Sequence, residues 1–158
     1  MHQCLLIFCA PNSKLKSPLP MSRLFQLGST LLGRLGSYVI TKEIHRAADD
    51  AAVFLARDDN GKNAIIKSIR GHWRLQNEAS VLKRYQTRSP YLRPLVDEIQ
   101  VPLDPPSIVL RYLDNDLLSE SNQRRLSRPQ IKQVARAILE ALKVLHKDGM
   151  VHTGRSLS

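Results

Sequence analysis

Cysteine is nearly missing from this chain of 158 residues: Cys4 and Cys9 are the only two. They cannot staple the rest of the chain, and no set of metal-ligand residues accompanies them. The long cysteine-free remainder suits a reducing compartment, so an intracellular setting, cytoplasm or nucleus, is expected. Aromatic residues make up only 5%. A nucleic-acid surface built from basic residues interleaved with stacking rings is therefore not expected. Long apolar runs are missing as well. No stretch approaches the ~20 apolar residues that a membrane span requires, so none is expected. Acidic residues are absent from the first 42 positions, which hold Lys14, Lys16, Arg23, Arg34 and Lys42. All fourteen Asp and Glu lie from Glu43 onward, so half of the formal charge of +10 sits in that leading stretch. Glycine is absent between Gly36 and Gly61.

What is present reads as globular. The chain is 42% hydrophobic and 24% charged, and its length suits one domain of ordinary size. The opening MHQCLLIFCA has neither the positive start nor the small-residue cleavage site of a secretory signal. The wider acid-free segment resembles a mitochondrial transit peptide, but Pro11, Pro18 and Pro20 oppose a continuous amphipathic helix. Residues 1–36 are expected to be a basic, unstructured extension, with mitochondrial targeting as the alternative.

From Tyr38 the pattern changes. Residues 38–44 are rich in β-branched side chains and alternate roughly, which predicts a strand. A second strand is predicted over 53–56 and a third over 63–69, with Asp58-Asp59-Asn60-Gly61 as the turn between them. Leu75, Ala79, Leu82 and Tyr85 recur at three-to-four spacing and predict a helix over 73–86. Residues 91–96 and 107–112 read as two further strands, joined by a connector with three prolines, VPLDPPS. Residues 113–129 are polar and mixed. A long helix is predicted from Pro129 to Lys147, with Ile131, Val134, Ala135, Ile138, Ala141, Leu142 and Leu145 as its apolar stripe and Gly149 beyond its end. The expected fold class is α+β: a five-stranded antiparallel sheet with one helix, followed by a long helix.

Three pieces of this succession have a familiar order. AIIK at Ala64–Lys67 is similar to the V-A-I-K of protein kinases. NEASVLKR around Glu78 resembles the helix that supplies that lysine's partner, and ILEALKVLHKDGMVHT resembles the helix and turn that run into H-R-D. Residues Tyr38 to Thr153 thus resemble the N-terminal lobe of a eukaryotic-type protein kinase plus the first large helix of its C-terminal lobe, in tone a fungal kinase-like protein. The resemblance implies a kinase-like N-lobe over 37–113, a hinge-following segment and long helix of an incomplete C-lobe over 114–153, and an unrelated tail over 154–158. It implies ATP-dependent phosphoryl transfer to protein serine or threonine, with ATP and Mg²⁺ as cofactors. It also implies roles. Lys67 would hold the α- and β-phosphates and Glu78 would fix Lys67 by an ion pair. Val53 would cover the adenine ring and Leu110 would stand behind it. Arg111 to Leu113 would form the hinge whose backbone binds adenine.

The chain departs from that family at several points. The loop HRAADDAA has no glycine to let backbone N–H groups approach phosphates, and it carries Asp49 and Asp50 instead. Two like charges at ~4 Å repel by about 1 kcal/mol in water. Ile65 stands where the family has alanine and would crowd the adenine. Gly154 occupies the position of the catalytic aspartate and cannot accept a proton. This chain is therefore expected to be catalytically inactive as it stands. The change at Gly154 is expected to reflect a truncated gene model or retained intron; the alternative is a non-catalytic, pseudokinase-like interaction module. With little of a C-lobe to cover it, the apolar face of the 129–147 helix is expected to engage a protein partner or chaperone, each buried side chain contributing roughly 1.5–3 kcal/mol.

Overall fold

The computed structural model describes residues 25–47, 51–71 and 73–151. Its first strand, β1 (Thr30–Gly33), turns through Arg34–Gly36 into β2 (Ser37–Arg46). There Tyr38 and Ile40 point inward and Val39 and Thr41 outward, the alternation a half-buried strand requires. Strands β3 (Ala51–Asp58) and β4 (Asn63–Ile69) form a hairpin. The Asp58 carboxylate closes its turn by accepting from the backbone N–H of Asn60 (2.9 Å) and Lys62 (2.8 Å), and Gly61 supplies the positive φ of 73°. Helix α1 (Arg74–Tyr85) follows, then β5 (Leu95–Val101) and β6 (Ser107–Arg111).

The six strands close into an antiparallel barrel in the order β1-β2-β3-β4-β6-β5. Leu31, Ile40, Phe54, Ile66, Ile99 and Val109 are among the buried residues of its interior, and Phe25 meets Phe54 edge-on with ring centroids 5.7 Å apart. The closing seam is β1 against β5, with Leu32 opposite Val101 and Gly33 opposite Ile99. Besides the backbone ladder and the Arg34–Glu98 ion pair (3.7 Å), one buried carboxylate ties this seam. Asp97 on β5 is 5% exposed, and it accepts from the N–H groups of Arg34 (3.0 Å), Leu35 (2.9 Å) and Glu98 (2.8 Å) and from the Tyr38 hydroxyl (3.1 Å). A buried charge is tolerated only when its lone pairs are met in this way. Burial, with the Asp97 charge beside it, pushes the Tyr38 phenol well above its ordinary value, so it remains a donor.

The barrel corrects the expectation of a five-stranded sheet. The sixth strand, β1, lies within the stretch 1–36 assigned to an extension. The fourth predicted strand also shifts, from 91–96 to 95–101, because Tyr91 lies in a turn and Pro94, just ahead of the strand, cannot donate to a ladder. Two further helices follow β6. The first, α2 (Leu117–Gln123), was not expected; Asp116 caps it by accepting from the Ser119 N–H. The second, α3 (Arg128–His146), matches the predicted long helix. Ser127 and Gln130 form a capping box at its start, and Gly149 (φ 70°) follows its end.

Contacts divide the described residues into two units: 25–80 with 95–112, and 81–94 with 113–151. The barrel belongs to the first. In the second, Tyr85, Leu92, Ala141 and Leu145 form a buried cluster joined by Val81, Tyr91, Val144 and Met150. The α3 stripe is less buried than expected: Ala141 and Leu145 are buried, Val134, Ile138 and Leu142 are half-buried, and Ala135 and Ile131 (53%) are exposed; outside the stripe Ala137 is buried and Leu139 is 65% exposed.

The turn after α3 is tied by Asp148, which accepts from Arg88 (2.6 Å), Arg84 (3.2 Å) and Tyr85 (3.1 Å), while both guanidiniums lie over the Tyr85 ring. The hydrogen bond from Arg88 above all holds the Asp148 carboxyl at about 2 against an ordinary 3.8. The folded form binds this proton less readily than the unfolded chain. Asp148 therefore stabilises its unit above about pH 4, and that contribution is lost as pH falls toward 2. Asp148→Asn is expected to lower the thermal midpoint at pH 7, and the gap from the unaltered chain is expected to narrow between pH 4 and pH 2 in circular-dichroism melts.

Candidate functional site

Residues directly opposite one another across a β ladder share a face. Lys67 on β4 is opposite Val53 on β3 and Ile108 on β6, and Ile65 is opposite Leu55 and Leu110. These six residues line the face away from Phe54, Ile66 and Val109. Lys67 is thus a single cation among apolar side chains. Ile65, Ile108 and Leu110 are buried, whereas Val53 and Leu55 are half-buried.

The partner of that cation comes from α1. Leu75, Ala79 and Leu82 are buried at three-to-four spacing, and Glu78 falls within the same helical stripe. A carboxylate in an apolar stripe demands a donor. The Lys67 ammonium supplies it, with Nζ 2.8 Å from Oε1 and 2.6 Å from Oε2 of Glu78. The two side chains are 16% and 20% exposed, so water screens the pair only in part. An ammonium has three protons. Two are directed at Glu78, and the third has no protein acceptor among the described residues. Chemically, the arrangement is a cation fixed in position beside an apolar face, with one of its three donors left over. Ile65 makes that face fuller than an alanine would.

The structure therefore brings together four of the residues named from sequence: Lys67, Glu78, Val53 and Leu110. Arg111 is exposed and stands opposite Ala64, on the other face of the ladder. Leu113 lies past the end of β6 and falls in the second unit. Asp49, Asp50 and Gly154 lie outside the described residues. Ile108, directly opposite Lys67, was not singled out from sequence; its position two residues before Leu110 places it on that face by strand alternation. A second ion pair, Arg70 to Asp104 at 3.4 Å, links the end of β4 to the β5–β6 connector. Among the described residues no group of three or more His, Cys, Asp or Glu is placed to hold a metal ion, and no helix is long and apolar enough to cross a membrane.

No family model matches the chain, and no curated protein matches it. A solved structure, that of vaccinia related kinase 3, is similar to it with a TM-score of 0.62 at 20% sequence identity. The match covers 81% of this chain and 44% of that one, so the chain spans less than half the length of the kinase it resembles. Six strands, an α1 that answers the β4 lysine and this likeness agree on one conclusion: the chain has an α+β, protein-kinase-like fold.

Proposed function

We propose that this chain is the nucleotide-facing portion of a protein-kinase-like protein, a module that takes the phosphates of ATP on Lys67 without itself transferring one. The observation that carries the reading is the Lys67–Glu78 pair, both carboxylate oxygens lying within 2.8 Å of the ammonium. Glu78 keeps Lys67 on the apolar face, and the ammonium's remaining proton is the donor for a phosphate oxygen. Val53 and Leu110 would bound the adenine, with backbone groups of Arg111 and Tyr112 beside it. Mg²⁺ would enter on the nucleotide's own phosphates. The inherited activity is phosphoryl transfer to protein serine or threonine. Gly154, at the position of the proton-accepting aspartate, supports the inactive reading. The test is a thermal-shift titration with ATP, with and without Mg²⁺, on the unaltered chain and on Lys67→Met. An ATP-dependent rise that vanishes in Lys67→Met is expected; no rise in either chain contradicts nucleotide binding.

A second reading, a non-catalytic interaction module, is favoured by the exposure of Ile131 and Leu139 on α3, whose neighbours along the helix include Lys132, Arg136 and Lys143. Self-association through this face is expected to weaken in Leu139→Lys, measured by sedimentation velocity. Unchanged sedimentation of Leu139→Lys counts against this face.

A further inference from the structure

The link between α2 and α3 reads Arg124-Arg125-Leu126-Ser127. Two guanidiniums stand three and two residues ahead of a hydroxyl. Enzymes with carboxylate-lined subsites read such a pattern through bidentate hydrogen bonds. The local structure presents it for reading. Arg124 (φ −153°, ψ 148°) and Ser127 (φ −72°, ψ 157°) are both extended, and Arg124, Arg125 and Ser127 are all exposed. The Ser127 oxygen accepts from the Gln130 N–H at 3.4 Å, while its own O–H donates to no group among the described residues. Arg124 is engaged by Glu120 at 3.2 Å, but as an exposed pair this opens at little cost.

We infer that Ser127 is a phosphorylation site for an arginine-directed protein kinase. The Ser127 Oγ attacks the γ-phosphorus of ATP and an O–P bond forms. The bond from that phosphorus to the β–γ bridging oxygen breaks, and ADP leaves with the electron pair. The hydroxyl proton passes to a carboxylate of the modifying enzyme. Among the described residues other hydroxyls are poorer acceptors; Ser37 has Arg34 three residues ahead of it, but it lies in β2 and its hydroxyl is donated to Asp59. Ser89 precedes Pro90 but is buried, and Thr87 has Arg84 three residues ahead of it, yet that arginine sits in α1 and is held by Asp148. The phosphate would stand at the N-terminus of α3, near the Gln130 N–H, where the helix dipole favours negative charge. This inference is independent of nucleotide binding at Lys67.

The test incubates the full chain with ATP and the catalytic subunit of cyclic AMP-dependent protein kinase as the arginine-directed probe, followed by site mapping by mass spectrometry. One phosphate at Ser127 is expected. The Arg124→Gln/Arg125→Gln chain, which keeps the Ser127 cap, is expected to be modified about tenfold more slowly or worse, since it loses both charge-assisted contacts. Absence of incorporation, phosphate on Thr87 or another residue instead, or a rate indifferent to the two arginines overturns the inference.

Discussion

Gly33→Ala is expected to lower stability by about 3–5 kcal/mol, enough to unfold a marginal domain. A Cβ at this position would lie 2.1 Å from Asp97 Oδ2, 2.8 Å from its Cγ and 3.0 Å from Tyr38 Cε2. The neighbour cannot simply move. Asp97 is buried and held by four donors, so shifting its carboxylate to admit one methyl group leaves N–H groups of the β1–β2 turn without an acceptor. Gly36 makes the contrast. Its added Cβ would meet Asp59 Oδ2 at 2.9 Å, but that carboxylate is exposed, so water can replace the hydrogen bonds it accepts from the Ser37 N–H and hydroxyl if it moves. Gly36→Ala should therefore cost much less. Urea unfolding of the two variants measures the difference. Equal midpoints for Gly33→Ala and Gly36→Ala would mean that Asp97 does not hold the seam.

The second large effect is expected at Glu78. Glu78→Leu leaves the Lys67 ammonium on an apolar face with no carboxylate, at a cost of about 2 kcal/mol once partial exposure is allowed for. The double change Lys67→Met with Glu78→Leu removes both charges from that face. It should recover most of this loss, since apolar residues of similar size replace a partly buried pair with little net penalty. The two chains separate stability from function. The double variant folds like the unaltered chain and yet shows no ATP-dependent thermal shift. A double variant no more stable than Glu78→Leu alone would show that the charge left unpaired is not the source of the loss.

Much of this architecture was legible in the sequence where local signals agree with the tertiary environment. The β3–β4 hairpin and its turn, β4 itself, α1 and α3 all appear within a few residues of where periodicity and turn chemistry put them. The Lys67–Glu78 pairing was expected from resemblance, and the structure supplies a physical sign for it: a carboxylate in the buried stripe of α1. The barrel closure was not legible. Its key residue is an aspartate at an inward position of β5, where alternation calls for an apolar side chain. Donors 59 to 63 residues away in sequence, two in the β1–β2 turn and one on β2, together with the adjacent Glu98 N–H make it tolerable there. Strand β1 is just four residues long and gains its meaning from β2 and β5 on either side. Helix α2 buries none of its residues, so it leaves no apolar periodicity to read.

Chemical labelling with an acyl-phosphate derivative of ATP tests the central claim most directly, because the bound reagent transfers its acyl group to an amine beside the phosphates. If the cation on β4 is a phosphate site, peptide mapping will find the label on Lys67, with free ATP suppressing it. Label spread over Lys132, Lys143 and other exposed amines, indifferent to ATP and sparing Lys67, would contradict the account.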